Sequence, residues 1–179
     1  NGGIRITSQD TRQTLSVANL SEIKTTRTLA LITEIVRFFQ VSGIDITTRS
    51  DSPLGAGLAG SSALNVALCG ALSRWTNRNS TPDELIDIAM NIEAKVLKVP
   101  TGVQDYRPAM YGGLAAIEMA TSGVSRVPIE IDTSELEKRL LLVYTGKSRN
   151  SGVNNWEVTK KHIDGDPDTA KTFDEIRDI

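Results

Sequence analysis

Apolar and polar residues alternate in two short stretches near the start of the chain, GIRITS at residues 3–8 and QTLSVANL at residues 13–20. This alternation is typical of strands that bury one face, so both stretches are predicted to be strands. A polar turn around Asp10 joins them. A third strand is predicted for IDITTRS at residues 44–50, directly before a loop rich in glycine.

Helical spacing dominates the middle of the chain. Apolar residues repeat every three or four positions from 29 to 39, which predicts a helix with Ser21 as its N-cap and Gly43 as its stop. The pattern from 61 to 75 is also helical. A third helix is predicted to begin at Thr81-Pro82-Asp83-Glu84, because proline suits the first turn and acids suit its positive end. Its expected buried stripe consists of Ile86, Ala89, Met90, Ile92 and Ala94.

The last third of the chain mixes both periodicities, which indicates a fold of strands with helices. The predicted strands are LAAIEMA (114–120), VSRVPIEI (124–131) and RLLLVYTG (139–146), the last one an inner strand because it is a short apolar run. A short helical piece near Glu135 and two helices at 153–163 and 168–179 complete the prediction.

Composition narrows the class of protein. The chain has 179 residues, a formal net charge of −2 and one cysteine, Cys69, within an apolar helical pattern. No general attraction to nucleic acid or to an anionic membrane is expected at this charge, and one cysteine excludes an intramolecular disulfide framework. We therefore expect a cytoplasmic protein with no nucleic-acid and no membrane partner. Because the sequence opens without methionine and closes inside a helical pattern, we also expect it to be part of a longer protein.

The glycine loop before the second helix is the main chemical signal. Backbone N–H groups at a helix N-terminus are unpaired, and glycines beside them let an anion approach, while serine hydroxyls can bind phosphate or magnesium. The loop lacks the Gly-Lys-Ser/Thr of a Walker sequence and the ordered dinucleotide fingerprint. The alternative is a tight strand-to-helix turn that packs closely. The loop residues are Gly55, Ala56, Gly57, Leu58, Ala59, Gly60, Ser61, Ser62 and Ala63.

This loop, with Pro53 and Leu54 before it, resembles the phosphate-binding motif of the GHMP kinases. That superfamily includes galactokinase, homoserine kinase, mevalonate kinase and phosphomevalonate kinase. The chain departs from the usual motif by carrying Ala59-Gly60 where many members have a single glycine. The resemblance implies that the loop binds ATP, and the extra residue leaves open whether Ser61 or Ser62 faces the metal.

A second match follows the loop. Family members place a glutamate on a helix and an aspartate about a dozen residues later, and Glu93 and Asp105 are twelve apart. Gly102-Val103-Gln104-Asp105 and the later Gly112-Gly113 resemble heptose-phosphate and fucose kinases most. The resemblance implies that Glu93 and one of the two serines bind Mg²⁺, and that Asp105 accepts the proton of the attacking hydroxyl. Taken alone, Glu93 is typical of a solvated helix residue and Asp105 of a turn residue bonded to its own backbone.

A third stretch, Thr145-Gly146-Lys147-Ser148-Arg149, is similar to a Thr-Gly-x-x-Arg segment of the heptose-phosphate kinases. An arginine fork suits phosphate or a sugar oxygen, whereas a solvated loop arginine is the alternative. The expected substrate-binding residues are therefore Gly102, Gln104, Asp105 and Arg149.

The resemblance implies an α+β GHMP kinase fold with two domains. Residues 1–139 are expected to be the ATP-binding, ribosomal-protein-like domain without its first strands, and residues 140–179 the beginning of a ferredoxin-like domain. The implied activity is transfer of a phosphoryl group from ATP, with Mg²⁺, to a sugar or sugar phosphate. Two alternatives stay open: a non-catalytic ligand sensor of the same fold, and a kinase for an isoprenoid precursor or an amino acid. A homodimer is also left open.

Overall fold

Three short strands form the sheet at the start of the chain. The computed structural model describes residues 2–53, 55–144, 146 and 151–178, with only the backbone described at 151–154. Strands β1 (Ile4–Ser8), β2 (Gln13–Val17) and β3 (Ile44–Thr48) lie in the order β2-β1-β3, with β1 antiparallel to β2 and parallel to β3. The three predicted strands are therefore confirmed, although β3 ends two residues before the predicted end at 50.

The first helix begins later than predicted, and Ser21 is not its N-cap. Ser21 lies in a 3₁₀ turn of residues 20–22, where its backbone N–H donates to the side chain of Asn19 at 3.1 Å. The turn ends at Ile23, whose extended backbone (φ −61°, ψ 114°) stops the helical geometry. Helix α1 (Ala30–Phe39) begins after an irregular segment and has Leu29 as its N-cap, without a side-chain cap bond.

The predicted stop of α1 at Gly43 is also wrong. The helix ends at Gln40, which adopts the left-handed conformation with φ 49°. Gly43 has φ 64° and donates its N–H to the carbonyl oxygen of Gly2 at 2.9 Å, so it leads the chain into β3. The predicted apolar stripe of α1 is confirmed, since its members are all buried: Leu29, Ile32, Ile35, Val36 and Phe39.

Four helices cover one face of this sheet. Helices α2 (Gly60–Trp75), α3 (Pro82–Leu97) and α4 (Tyr106–Tyr111) follow the glycine loop, and α2 contacts α1, α3 and α4. The alternate residues Ile4 and Ile6 of β1 belong to the same apolar core as the buried faces of these helices. Helix α2 is thus the central element of the described domain, and Cys69 at its middle is a buried core residue, as expected.

The start of α3 agrees with its prediction. Thr81 accepts the N–H of Glu84 at 3.3 Å and the Glu84 carboxylate accepts the N–H of Thr81 at 2.8 Å, a complete capping box. The buried stripe differs in detail, because Met90 and Ala94 are half-buried. The buried residues of α3 are Leu85, Ile86, Ala89, Ile92 and Glu93.

The second half of the described chain is a hairpin and three helices. Strands β4 (Ala115–Ala120) and β5 (Gly123–Pro128) pair antiparallel, and helix α5 (Thr133–Glu137) follows them. Helices α6 (Ser151–Ile163) and α7 (Pro167–Arg177) pack on each other. Of the helices that the structure describes, none combines the length and the apolar character needed to cross a bilayer.

The predicted inner strand at 139–146 is not observed. Residues 140–144 have no regular secondary structure and are exposed, Leu141 by 88% of its surface. A strand needs a neighbouring backbone to pair with, and none of the five described strands lies against this segment. The apolar run alone does not reveal whether a neighbouring strand is present.

Candidate active site

The glycine loop leaves the sheet beside the β1–β2 turn, which anchors it. The N–H of Ser50 donates to Asp10 Oδ1 at 2.8 Å, and the N–H of Gln9 donates to the carbonyl of Thr48 at 3.0 Å. Beyond this anchor, Gly57 has φ 76°, and a Cβ added there meets no atom within 4 Å. The loop is therefore open on that side, and the alternative of a closely packed turn does not describe it.

The first turn of α2 has free backbone donors. Its N-cap is Ala59, which has φ 54° and no side chain able to cap the helix. Within the described residues no side chain or loop carbonyl accepts the N–H groups of Gly60, Ser61 or Ser62. These donors and the positive end of the helix dipole make the head of α2 suited to an anion.

Helices α2 and α3 run antiparallel, and a buried asparagine sets their register. Asn65 has no exposed surface, and its Nδ2 donates to the carbonyl of Ala89 at 2.6 Å. Ser62 lies one turn before Asn65 on α2, and Glu93 lies one turn after Ala89 on α3. In an antiparallel pair these two turns face each other, so the Asn65–Ala89 bond brings Ser62 and Glu93 together.

Glu93 is buried, contrary to what an isolated helix glutamate would do. Its residue is 6% exposed, and its Oε2 accepts a hydrogen bond from the hydroxyl of Tyr106, which has no exposed surface. Burial and Glu93 raise the pKa of Tyr106 well above its ordinary value, while the Thr101 and Ser62 hydroxyls act in the opposite direction. The phenol thus donates its hydrogen bond to Glu93 where both residues are shielded from solvent.

Asp105 lies at the start of α4, directly before Tyr106. It is the N-cap residue, but its backbone is helical (φ −81°, ψ −31°) and its side chain makes no cap bond to the helix. The alternative of a turn aspartate bonded to its own backbone is therefore not observed. Burial, and then the negative charge of Glu93, raise the pKa of Asp105 above its ordinary value. A carboxyl group with a raised pKa beside a second acid is typical of a functional site.

The raised pKa of Asp105 predicts a pH-dependent stability difference. Ionising Asp105 costs more in the folded than in the unfolded chain, so the free energy of unfolding falls as pH rises through the interval between the two pKa values. Asp105→Asn removes this cost and is expected to be more stable than the wild type above that interval, but not below it. The gain is on the order of 0.5 kcal/mol, because solvent screens a half-buried carboxylate.

Urea unfolding across a pH series in EDTA measures this difference. The control is Asp87→Asn, which changes the same charge on the exposed side of α3. A difference between wild type and Asp105→Asn that stays constant with pH would contradict the environment assigned to this carboxyl group.

The predicted substrate residues are only partly placed. The Gln104 side chain folds back onto Gly102, where an added Cβ would lie 2.5 Å from Gln104 Nε2. Gly102 therefore leaves room for the present Gln104 conformation, one residue before Asp105. Arg149 lies outside the described residues, as do Lys147 and Ser148 of the same predicted segment.

Two site residues were missed by the sequence prediction, Tyr106 and Asn65. Tyr106 follows Asp105 directly, and Asn65 lies one turn after Ser62, so both were adjacent to predicted residues. Asn65 carried a signal, a polar group inside the helical pattern of residues 61–75, whereas no helix was predicted at Tyr106 and its place beside Asp105 was the available signal. Two concavities among the described residues, of about 540 and 420 Å³, are lined by none of the predicted site residues.

The chain matches known proteins over much of its length. Residues 25–113 match the family described as GHMP kinases N terminal domain. The chain is 33% identical over 134 residues to the D-glycero-alpha-D-manno-heptose 7-phosphate kinase of Campylobacter jejuni, covering 73% of this chain and 39% of that enzyme. It is 31% identical over 103 residues to the galactokinase of Thermotoga maritima, covering 56% of this chain and 29% of that enzyme.

A solved structure has the same mixed α+β fold. The crystal structure of a D-glycero-D-manno-heptose 1-phosphate kinase from Bacteroides thetaiotaomicron superposes with a TM-score of 0.67 and 26% sequence identity. The match covers 76% of this chain and 47% of that one. The chain therefore spans less than half the length of each of these relatives.

Proposed function

Because this chain belongs to the GHMP kinases through its residues 25–113, we propose that it serves ATP-dependent phosphoryl transfer to a hydroxyl group of a sugar or sugar phosphate. One observation carries the proposal. Ser62 at the free N-terminus of α2 and Glu93 on α3 are both buried, Glu93 accepts a hydrogen bond from Tyr106, and the residue directly before Tyr106 is Asp105. The proposed phosphate site, the proposed metal ligands and the proposed base are therefore carried by neighbouring elements, as phosphoryl transfer requires.

The glycine loop and the head of α2 bind the phosphates in this proposal. The unpaired N–H groups of Gly60, Ser61 and Ser62 are the donors, and the left-handed residues Gly55 and Gly57 give the loop its open shape. The remaining predicted loop residues form the rest of this cradle. Electrostatic stabilisation by such fixed donors needs no rearrangement when charge develops on the transferred group.

Glu93 and Ser62 are the proposed ligands of Mg²⁺, with Ser61 as the exposed alternative. Mg²⁺ takes oxygen ligands, and proteins usually hold it by one or two carboxylates together with substrate phosphates and water. The residues present fit this pattern, since Glu93 supplies a carboxylate and Ser62 a hydroxyl, and both residues are buried. When bound, the ion neutralises charge on the phosphates.

Asp105 is the proposed base. Its carboxylate has no cap bond to α4, so it is free to accept a hydrogen bond from an acceptor hydroxyl. The raised pKa makes it a better proton acceptor than an ordinary aspartate, because the base strength of a carboxylate rises with its pKa. Gly102, Gln104 and Arg149 are proposed to contact the acceptor, the first two because they lie immediately before the base.

The acceptor class is proposed from the relatives. The Campylobacter jejuni and Bacteroides thetaiotaomicron enzymes are heptose-phosphate kinases and the Thermotoga maritima enzyme is a galactokinase. On that basis we propose that the acceptor of this protein is also a sugar or a sugar phosphate.

We also propose that residues 140–179 begin a second, ferredoxin-like domain. The protein is proposed to be cytoplasmic and to form no complex with nucleic acid or membrane, and a homodimer is left open.

ATP turnover by the full-length protein tests the proposal, with a panel of hexoses, heptose phosphates, mevalonate and homoserine as acceptors. The expected result is ADP release that depends on a sugar or sugar phosphate. Turnover with mevalonate or homoserine alone would mean that the acceptor is an isoprenoid precursor or an amino acid and not a sugar. Binding of ATP without turnover on any acceptor would favour a non-catalytic sensor and contradict the proposal.

A further inference from the structure

We propose that Tyr106 is a positioning residue that holds Glu93 in the orientation needed to bind the metal ion, an inference that rests on the proposed function. Tyr106 makes no contact with a reacting group in this role. It acts through the one hydrogen bond from its hydroxyl to Glu93 Oε2. No other hydrogen bond to the Glu93 side chain occurs among the described residues, so the phenol alone fixes the carboxylate.

Burial makes this bond necessary. A carboxylate that is 6% exposed loses most of its hydration, and an ionised group without a partner is costly in such surroundings. The Tyr106 hydroxyl is a neutral donor, and it is as fully buried as the carboxylate that it contacts. It therefore stabilises the ionised glutamate without bringing a positive charge that would compete with a cation.

The geometry leaves one oxygen of Glu93 available. Oε2 accepts the bond from Tyr106, and Oε1 has no hydrogen-bond partner among the described residues, so Oε1 is the oxygen left for a cation. The tyrosine ring itself is fully buried in the core between α2, α3 and α4. A ligand carboxylate held by a hydrogen bond to a rigid neighbour is the usual way in which proteins orient a metal ligand.

Tyr106→Phe tests this role, because it keeps the ring and removes only the hydroxyl. Electron paramagnetic resonance of Mn²⁺ with AMP-PNP measures bound metal without any turnover. We expect Tyr106→Phe to weaken Mn²⁺ binding in this ternary complex about 10- to 100-fold, the usual cost of losing such a partner. The matched control is Tyr111→Phe, since the Tyr111 hydroxyl also bonds a carboxylate, Asp83 Oδ1 at 3.0 Å, but at the surface.

The same tyrosine substitution made in the Glu93→Gln variant tests whether Tyr106 affects metal binding through Glu93. If Tyr106 acts through Glu93, then Glu93→Gln/Tyr106→Phe binds Mn²⁺ no more weakly than Glu93→Gln. This double variant also removes the buried charge, so it remains informative if Tyr106→Phe alone is unstable. A further tenfold loss in the double variant, or a change of less than twofold in a folded Tyr106→Phe, overturns the positioning role.

Different results would refute the proposed metal site and the positioning role of Tyr106. Unchanged Mn²⁺ binding in Glu93→Gln would refute the metal site of the proposed function, and with it the role of Tyr106. Weakened binding in Glu93→Gln together with normal binding in Tyr106→Phe would refute only the inference about the tyrosine.

Discussion

Replacing Asp105 by asparagine is expected to lower kcat for phosphoryl transfer by a factor of about 10² to 10⁴, the usual contribution of a positioned general base. The substitution keeps the shape of the side chain and removes its ability to accept a proton. Asp105 lies at the start of α4, on a different element from the loop and α2, so the affinity for ATP should change little. Steady-state and single-turnover kinetics of the full-length protein separate the two effects.

Asp87→Asn is the control for the Asp105 experiment, because it makes the same charge change on the exposed side of α3. It should leave kcat unchanged within about twofold, as is usual for a surface substitution away from a site. A kcat for Asp105→Asn within threefold of the wild type would refute the base assignment. Phosphoryl transfer by positioning alone would then explain the activity.

Asn65→Ala is expected to destabilise the fold by about 2–3 kcal/mol. The substitution removes the buried bond to the Ala89 carbonyl, which keeps only its helical partner, at a cost of about 0.5–1.5 kcal/mol, and the cavity left by the missing side chain adds to this loss. Because this bond also sets the register that brings Ser62 to Glu93, the folded fraction should bind Mn²⁺ with AMP-PNP more weakly. Urea unfolding followed by circular dichroism measures the stability.

Asn91→Ala provides the comparison for Asn65→Ala. Asn91 Nδ2 also donates to a backbone carbonyl, that of Asp87 at 2.8 Å, but on an exposed side of α3. The free energy of unfolding of Asn91→Ala should lie within about 0.5 kcal/mol of the wild-type value, because water replaces the lost hydrogen bond. Equal losses in the two variants would mean that burial of the Asn65 bond has no energetic importance.

Local patterns predicted the elements that depend on local physics. The start of α3 at Thr81-Pro82-Asp83-Glu84 and the buried stripe of α1 follow from side chains and periodicity within one helix, and both are observed. The prediction for Ser21 was wrong because Ser21 lies in a separate 3₁₀ turn, capped by Asn19 and ended by Ile23, and α1 begins only at Ala30. The strand predicted at 139–146 is not observed for a different reason. Strand pairing depends on a neighbouring strand, which the periodicity of one segment does not reveal.

The candidate site was predicted only in part, because local sequence patterns do not show how helices pack. The glycine loop, Glu93 and Asp105 stand out as residue types at a spacing that chemistry requires. Tyr106 and Asn65 do not, because their importance arises only when α2 and α3 pack antiparallel and bury them. Glu93 carried a signal of this burial in the sequence, since it lies four residues after Ala89 on the apolar stripe.

The central claim is that the head of α2 and the loop before it receive the phosphates of ATP. Backbone amide chemical shifts of the ¹⁵N-labelled protein, recorded during titration with Mg²⁺ and AMP-PNP, test it most directly. The account predicts that the largest shifts occur at Gly57, Gly60, Ser61 and Ser62, with saturation at one site. Saturable binding whose shifts leave these amides unchanged would contradict it.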